Sequence, residues 1–128
     1  MVTTLEEATH SFYDALNAVL GGNVSPMLEM WSHADDVTYM SPFGELLVGW
    51  EPIRDSWQVQ ADQHLGGRVE PEELRHLASP TLGFVVGFER GAVEINGATT
   101  TVDIRATSLY RFEDGRWAMI GHHTDPLG

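Results

Sequence analysis

Residues 36–57, with the sequence DVTYMSPFGELLVGWEPIRDSW, form the stretch that decides the predicted fold. A short β-type run at residues 37–40 ends in the tight turn SPFG at residues 41–44. A second short run at residues 46–48 leads into a helix that is predicted to begin near Pro52. A strand–turn–strand unit that runs directly into a helix indicates a domain that mixes helices with a sheet.

The residues that precede this stretch predict two helices. Thr4 and Glu7 form a capping box, so the first helix is predicted to begin at Leu5, and the Gly-Gly pair at 21–22 ends it. Its apolar residues recur at helical spacing on one face: Leu5, Ala8, Phe12, Leu16 and Val19. The Ser-Pro pair at 25–26 predicts a short second helix with the serine as its N-cap.

From about residue 68 the pattern changes from helical to strand-like. Strands are predicted at residues 69–78, 82–90, 99–112 and 117–124, and the hairpin signals Asn96-Gly97 and Asp114-Gly115 separate the later ones. Helices followed by an antiparallel meander predict an α+β fold with the helices on one face of the sheet. No linker or repeat divides the chain, so we expect residues 1–128 to form a single domain.

The composition excludes several classes of function. A net charge of −12, from 19 acidic and 7 basic residues, would repel a nucleic acid, so we expect no nucleic-acid partner. The chain has no Cys, which excludes disulfides, thiolate nucleophiles and zinc–thiolate sites. The N-terminal segment has no apolar run typical of a signal peptide, and no stretch is apolar enough to span a bilayer. We therefore expect a cytoplasmic protein that does not bind membranes.

The last hairpin predicts which side chains face the helices. A two-residue loop at 114–115 pairs Phe112 with Trp117 and, at a constant register, Ser108 with Gly121. The more apolar face then carries Ile104, Ala106, Ser108, Tyr110, Phe112, Trp117, Met119 and His123. His122 would lie on the opposite, charged face. A slip of one residue exchanges the two faces, so either histidine could face the interior.

Three segments resemble a known family: ADDVTYMSPFG, GWEPIRDSW and SLYRFEDGRWAMIGHH. They are similar to the SnoaL-like, ketosteroid isomerase-like branch of the nuclear transport factor 2-like superfamily. The resemblance covers almost the whole chain. It implies a cone-shaped, curved antiparallel sheet packed against about three N-terminal helices, as in cystatin-like folds, with an internal pocket. Because the superfamily also contains the association domain of calcium/calmodulin-dependent kinase, the resemblance leaves the activity open.

The comparison with ketosteroid isomerases argues against steroid isomerisation as the activity. Their turn carries an acidic base, and here that position is Ser41, a poor base at neutral pH. Their oxyanion-hole tyrosine falls near Phe12, one residue from Tyr13, and their second donor falls on Ser108. The resemblance therefore implies a related pocket without steroid isomerisation.

The same resemblance places the pocket wall. Trp57 falls on a pocket tyrosine of the isomerases, and Val86 and Phe88 fall on their apolar wall. The predicted ligand-binding residues are Phe12, Tyr39, Ser41, Trp57, Val86, Phe88, Ser108 and Tyr110. If the chain catalyses a reaction, His123 is the predicted acid/base. His122 and His123 point to opposite faces of a strand, so we expect no metal site, and no motif indicates a cofactor.

Two functions follow from these residues. The first is a protein that binds a small apolar or amphipathic molecule, either without reaction or as a cofactor-independent isomerase, cyclase or lyase. The alternative is a non-catalytic association module, since the catalytic groups of the isomerases are displaced or missing. In both cases the mixed, exposed face of the sheet predicts a homodimer.

Overall fold

A computed structural model describes residues 4–42 and 44–127 of the chain. The described elements are α1 (Leu5–Leu20), α2 (Ser25–Met30), β1 (Thr38–Met40), β2 (Leu46–Val48), α3 (Trp50–Asp62), β3 (Gly67–Ala78), β4 (Leu82–Ile95), β5 (Ala98–Glu113) and β6 (Arg116–Pro126). The α+β class and the three helices are confirmed. Phe43, in the predicted turn, lies outside the described residues.

The helices begin close to their predicted positions. The Thr4 hydroxyl accepts a hydrogen bond of 3.1 Å from the Glu7 amide, so the capping box forms as predicted. The second helix begins one residue earlier than predicted, because Val24, and not Ser25, is its N-cap residue. The third begins at Trp50, two residues before Pro52. None of the described helices is long and apolar enough to cross a membrane.

The sheet has six strands in the order β2-β1-β6-β5-β4-β3. Neighbouring strands are antiparallel except β1 and β6, which run parallel. The long meander from β3 to β6 supplies most of the sheet, and the two short strands of the 36–57 stretch extend it at one edge. The three helices cover one face, called here the inner face, and leave the outer face uncovered.

The core lies between the helices and the inner face. Its largest buried side chains are aromatic or long and apolar: Phe12, Met27, Trp31, Ile53, Trp57, Tyr110 and Met119. They come from all three helices, from the residue that follows α2, and from β5 and β6, the two central strands of the sheet. Burial of this much aromatic surface is the main stabilising contribution to a domain of this size.

The predicted register of the last hairpin is correct near the turn and wrong beyond it. Phe112 pairs with Trp117 and Tyr110 with Met119, as predicted. A bulge follows, because Leu109 pairs with Gly121 and leaves Ile120 as an extra residue on β6. Every later residue of β6 is therefore turned to the other face. Ser108 pairs with His122, and His123 points to the outer face.

The two faces of strand β4 are also exchanged relative to the prediction, which is called here the phase of the strand. Val85 and Glu89 are buried on the inner face, so Val86 and Phe88 lie on the outer face and do not form the pocket wall. Gly83 and Gly87 share the inner face, where an added Cβ atom would lie 3.0 Å from Leu5 and 2.7 Å from Leu74. The small residues of β4 face inward because the helix and the neighbouring strand approach closely there.

Candidate functional site

A network of polar side chains lies inside the core. The Glu89 carboxylate is at its centre: Oε2 accepts a hydrogen bond of 2.8 Å from the Tyr13 hydroxyl and lies 3.0 Å from His122 Nε2. The other ring nitrogen, Nδ1, lies 2.8 Å from Ser108 Oγ. Glu89 is 4% exposed and His122 2% exposed, so the bulk solvent does not contact either group.

The sheet register brings these groups together. Ser108 pairs with His122 across β5 and β6, and His122 pairs with Tyr39 of β1. These three side chains form one row on the inner face, and Glu89 projects from β4 toward the same point. Helix α1 adds Tyr13 from above, one residue from Phe12. Five elements, α1, β1, β4, β5 and β6, therefore contribute side chains to the surroundings of one imidazole ring.

The hydrogen bonds define the roles that the groups can take. Burial, with the charge of Glu89, raises the pKa of Tyr13 far above its ordinary value, so this hydroxyl is a hydrogen-bond donor. An imidazole that donates from Nε2 to Glu89 has Nδ1 free to accept from Ser108. A carboxylate that holds one nitrogen of a histidine is an arrangement that can accept and return a proton at the other.

Aromatic side chains enclose the network. The Phe12 ring lies 4.5 Å from the His122 ring, and the Tyr39 ring stacks on Trp57 with 4.8 Å between their centroids. The Tyr39 and His122 rings are 6.3 Å apart. The polar atoms of the network therefore lie among packed aromatic side chains.

Three buried polar atoms in this region form no hydrogen bond with the described residues. They are the indole nitrogens of Trp31 and Trp57 and the hydroxyl of Tyr110. A buried donor without a partner costs about 1–3 kcal/mol. The interior therefore holds hydrogen-bonding capacity that the described side chains do not use.

The structure brings together five of the predicted ligand-binding residues on the inner side: Phe12, Tyr39, Trp57, Ser108 and Tyr110. It places Val86 and Phe88 on the outer face, against the prediction. The predicted acid/base, His123, is also on the outer face, where its Nε2 lies 2.7 Å from Thr38 Oγ1. Its assignment depended on a predicted position on the inner face of β6, and His122 has that position.

Ser41 lies beside the interior and not in it. It lines a cleft of about 340 Å³ between the β1–β2 pair and α3, together with Gln60 and Ser56. Gln60 Nε2 donates a hydrogen bond of 3.2 Å to the Tyr39 hydroxyl, whose ring stacks on Trp57. Gln60 and Tyr39 therefore separate this cleft from the aromatic interior.

The outer face carries a larger cavity of about 650 Å³. His123 lines it with Arg105, Asp125 and the two β4 residues predicted for the pocket wall. Burial, and then the nearby charge of His122, lower the pKa of His123. Its lining is more apolar than polar, and Arg105 and Asp125 on it form a bidentate ion pair.

Sequence reasoning missed Glu89 and preferred His123 to His122, because it assigned these residues of β4 and β6 to the wrong faces of their strands. Phe84, Val86 and Phe88 alternate in β4 and suggest that Glu89 faces solvent. The glycines at residues 83, 87 and 91 indicated the opposite assignment, because they lie on the same face of the strand as Glu89. Small residues at that spacing indicate a face that another element approaches closely.

The described residues contain no cluster of three or more His, Asp or Glu side chains that could hold a metal ion. Glu89 and His122 form a pair only, and the other nearby groups are hydroxyls of Tyr13 and Ser108. A histidine, a carboxylate and hydroxyls are groups that can transfer protons.

The SnoaL-like domain matches residues 6–125 of the chain. The chain belongs to the SnoaL-like family. Within the nuclear transport factor 2-like superfamily, a proposed dehydratase from Streptomyces avermitilis has a similar structure, with a TM-score of 0.87 and 18% identity over 99% of this chain and 96% of that one. At this identity the likeness shows the fold alone.

Two further proteins that are similar to this chain have other roles in their names. A proposed calcium/calmodulin-dependent protein kinase type II association domain from Thiobacillus denitrificans superposes with a TM-score of 0.81, at 24% identity over 100% of this chain and 98% of that one. The F-box protein SKIP8 of Arabidopsis thaliana is 24% identical over 79% of this chain. The match spans only 41% of that protein's length. Similarity to this chain thus extends to proteins that have different names and roles.

Proposed function

We propose that the interior bounded by α1, α3 and the inner sheet face binds a small apolar or amphipathic molecule. The Glu89–His122 pair acts on it as an acid/base in a cofactor-independent isomerase, cyclase or lyase reaction. The observation that carries the proposal is the buried pair itself, held by Tyr13 and Ser108 among aromatic walls. Burial of such a pair has a desolvation cost that a purely structural core avoids with apolar side chains.

In this proposal each member of the network has a separate role. His122 takes or gives the proton, and Glu89 orients the ring and stabilises its protonated form. Tyr13 donates to Glu89 and fixes the carboxylate. The unpartnered Trp57 indole nitrogen donates to an oxygen atom of the ligand, which makes a carbonyl or hydroxyl compound the best fit.

A ligand has to pass the aromatic wall to reach the imidazole. The cleft at Ser41 and Gln60 is the proposed access route, because only Gln60 and the stacked pair Tyr39–Trp57 separate it from the interior. Rotation of the Gln60 side chain breaks its hydrogen bonds to the hydroxyls of Tyr39 and Ser56. That change costs about 2 kcal/mol, which makes opening accessible at ordinary temperature.

The binding test uses anilinonaphthalene sulfonate, an aromatic probe of the amphipathic class. Trp57→Ala and His122→Ala should weaken its binding by about tenfold, which corresponds to ~1.4 kcal/mol of lost contact. His123→Ala is the matched control, since it removes the adjacent imidazole from the outer face and should leave the affinity unchanged. Equal affinity in all three folded variants would refute the interior site.

The chemical test measures proton abstraction directly. α-Tetralone, an apolar bicyclic ketone, is incubated with the protein in deuterated water, and loss of its α-hydrogen signal is followed by NMR. His122→Gln should reduce the protein-dependent rate by about a hundredfold, a usual contribution of a general base. His123→Gln should leave it intact. No exchange above the buffer rate with the wild-type protein would count against the acid/base role.

The second candidate is the non-catalytic association module, and a different observation favours it. Apolar side chains form a continuous exposed row on the outer face: Leu77 pairs with Phe84, and Phe84 pairs with Leu109. With Leu82 and Ile120 they line an almost entirely apolar cavity of about 540 Å³. An exposed patch of this kind is typical of an interface, and a second copy would bury it by two-fold pairing.

Sedimentation across a dilution series tests this candidate. Phe84→Glu should convert a dimer to a monomer, because a charge would be buried in the apolar row. Val59→Glu places the same charge on the exposed surface of α3 and should leave the dimer intact. A wild-type monomer at all concentrations would eliminate the association module as proposed.

A further inference from the structure

A groove of about 420 Å³ lies between the first two helices, and Trp117 of β6 forms part of its floor. Helix α1 contributes residues 8, 11 and 15, and α2 contributes residues 26, 29 and 30, so each helix presents one face to the groove. The three α1 positions are alanine, serine and alanine, and these small side chains leave space between the helices. None of the lining residues belongs to the network around Glu89 or to the apolar row of the outer face.

The floor of this groove is apolar. Trp117 is 8% exposed and Met30 is 9% exposed, so each presents a small part of its side chain to the groove. The Trp117 ring packs edge to face against Phe112, with 5.3 Å between the ring centroids. An indole that is held in place beside a flexible methionine is suited to an apolar side chain of a partner, because the indole supplies contact area and the thioether adapts to its shape.

Arg116 fixes the position of α2 beside the groove. Its guanidinium donates hydrogen bonds of 3.3 Å to the carbonyls of Met30 and Trp31, at the C-terminal end of α2. The last carbonyls of a helix have no partners within the helix, so these bonds tie α2 to the start of β6. Arg116 is the one basic residue in the described lining, and two of its donors point to the backbone.

Two carboxylates line the groove from different helices. Glu29 of α2 is exposed and forms no hydrogen bond or ion pair with any described residue. The Asp14 side chain of α1 is 65% exposed, and its Oδ2 atom lies 3.3 Å from His10 Nε2, an imidazole that is charged only when it is protonated. No arginine of the described chain forms an ion pair with either carboxylate, so both are available to a cationic partner.

The charges of the chain are distributed unevenly, and the groove lies in the acidic part. The first 53 residues contain eight acidic residues and no Lys or Arg, and all seven basic residues are arginines at positions 54–116. Helices α1 and α2 therefore carry four acidic side chains and no basic one. In a chain with a net charge of −12, the field around this groove attracts cations and repels anions.

We propose that this groove binds a basic, amphipathic peptide segment of a partner protein. An apolar side chain of the segment packs on Trp117 and Met30, and Lys or Arg side chains on either side of it pair with Asp14 and Glu29. The surface is separate from the Glu89–His122 pair, so its use does not depend on the proposed acid/base function.

The length of the groove favours a peptide over a free amine. The lining of α1 extends from Ala8 to Ala15, which is about 10 Å at the rise of a helix and corresponds to about three residues of an extended chain. A small amine would pair with one carboxylate only. A peptide segment can place two charges on either side of an apolar residue, as the carboxylates of the two helices require.

The test measures the affinity of a fluorescein-labelled peptide of alternating lysine and leucine by fluorescence anisotropy. Asp14→Lys combined with Glu29→Lys reverses both charges of the groove and should weaken binding by about a hundredfold, since like charges then face each other. Glu51→Lys combined with Asp62→Lys is the matched control. It makes the same change in net charge at two exposed positions of α3 and should change the affinity by less than about threefold. Equal losses in the two folded double variants would show that net charge alone attracts the peptide, and would overturn the proposal.

A second peptide tests the apolar floor. A peptide of alternating lysine and serine has the same charge but no apolar side chain, and it should bind the wild-type protein about tenfold more weakly or worse. Equal affinity for the two peptides would mean that the floor at Trp117 and Met30 takes no part in binding, which contradicts the proposed mode.

Methyl NMR on protein with isotope-labelled methionine locates the bound peptide. The lysine–leucine peptide should shift the methyl signal of Met30, and Met30→Leu assigns that signal by its loss. Met40, which is 38% exposed and lines the cavity of the outer face, is the internal control and should not shift. A shift of Met40 without a shift of Met30 would place the peptide on the outer face and eliminate the groove as its docking surface.

Discussion

Glu89 and Phe88 are neighbours on β4, yet the carboxylate lies in the core and the phenyl ring lies on the outer face. The inner face has a hydrogen-bonded acid and histidine among aromatic rings. The outer face has exposed apolar rows and arginine–carboxylate pairs, among them Arg90 with Asp103. Polarity alone therefore does not tell which face of a strand is buried. What decides is whether each polar atom finds a partner, as Glu89 does.

High pH should have the largest effect on stability, because the tyrosines that it ionises lie on the inner side of the sheet. Burial raises the pKa of Tyr13, Tyr39 and Tyr110, the only three tyrosines of the chain, above the ordinary value of 10.0. A tyrosine whose pKa is higher in the folded protein than in the unfolded chain stabilises the folded state. This stabilisation is complete at pH values below the pKa of the unfolded chain, and it is lost as the pH rises from there through the pKa of the folded protein. The loss is about 1.4 kcal/mol for each tyrosine and each pH unit.

We therefore expect cooperative alkaline unfolding, in which tyrosinate absorbance and loss of circular dichroism rise together. Stepwise tyrosinate formation in a protein that keeps its circular dichroism would show that the inner face is accessible to solvent.

Removal of the central carboxylate should have the next largest effect. Glu89→Ala leaves the Tyr13 hydroxyl and His122 Nε2 without their acceptor, which should lower the free energy of unfolding by about 3 kcal/mol. Glu89→Gln keeps one acceptor oxygen and should recover part of this loss. Asp103→Ala breaks an ion pair on the outer face and should hardly move the urea midpoint. Similar midpoints for Glu89→Ala and Asp103→Ala would remove the contrast between the faces.

Two adjacent valines test the phase of β4 itself. Val85 is buried on the inner face, and Val86 is partly exposed on the outer face. Val85→Ala should cost about 2 kcal/mol of unfolding free energy, since it removes buried methyl groups and leaves a cavity. Val86→Ala should cost well under half of that. The reverse order in a urea titration would return Val86 to the pocket wall, as the sequence first predicted.

The smallest effects should separate two hydroxyls of the inner face. Tyr13→Phe removes a hydrogen bond to a buried carboxylate and should cost about 1–2 kcal/mol. Tyr110→Phe removes a hydroxyl without a standard hydrogen bond and should be neutral within about 0.5 kcal/mol. Thermal melts of both variants give the comparison. A large loss for Tyr110→Phe would mean that its hydroxyl already has a strong partner.

The elements of the fold could be predicted from local patterns. The capping box at Thr4, the hairpin signals at 96–97 and 114–115, and the strand–turn–helix pattern of residues 36–57 each depend on neighbours within a few positions. The inward position of Trp57 was implied by the family resemblance. Local chemistry determines such features because the groups that satisfy each other are close along the chain.

The composition of the site depended on two features of tertiary structure. The bulge at Ile120 turns the end of β6 over, so that His122 and not His123 meets Ser108. The close approach of Leu5 to Gly83 turns β4 so that Glu89 faces inward. Side chains alternate with a period of two, so a shift of one residue exchanges the faces of a strand without changing its local pattern. The sequence by itself therefore determined the architecture and the neighbourhood of the site, whereas the packing between distant elements decided which histidine and which acid form it.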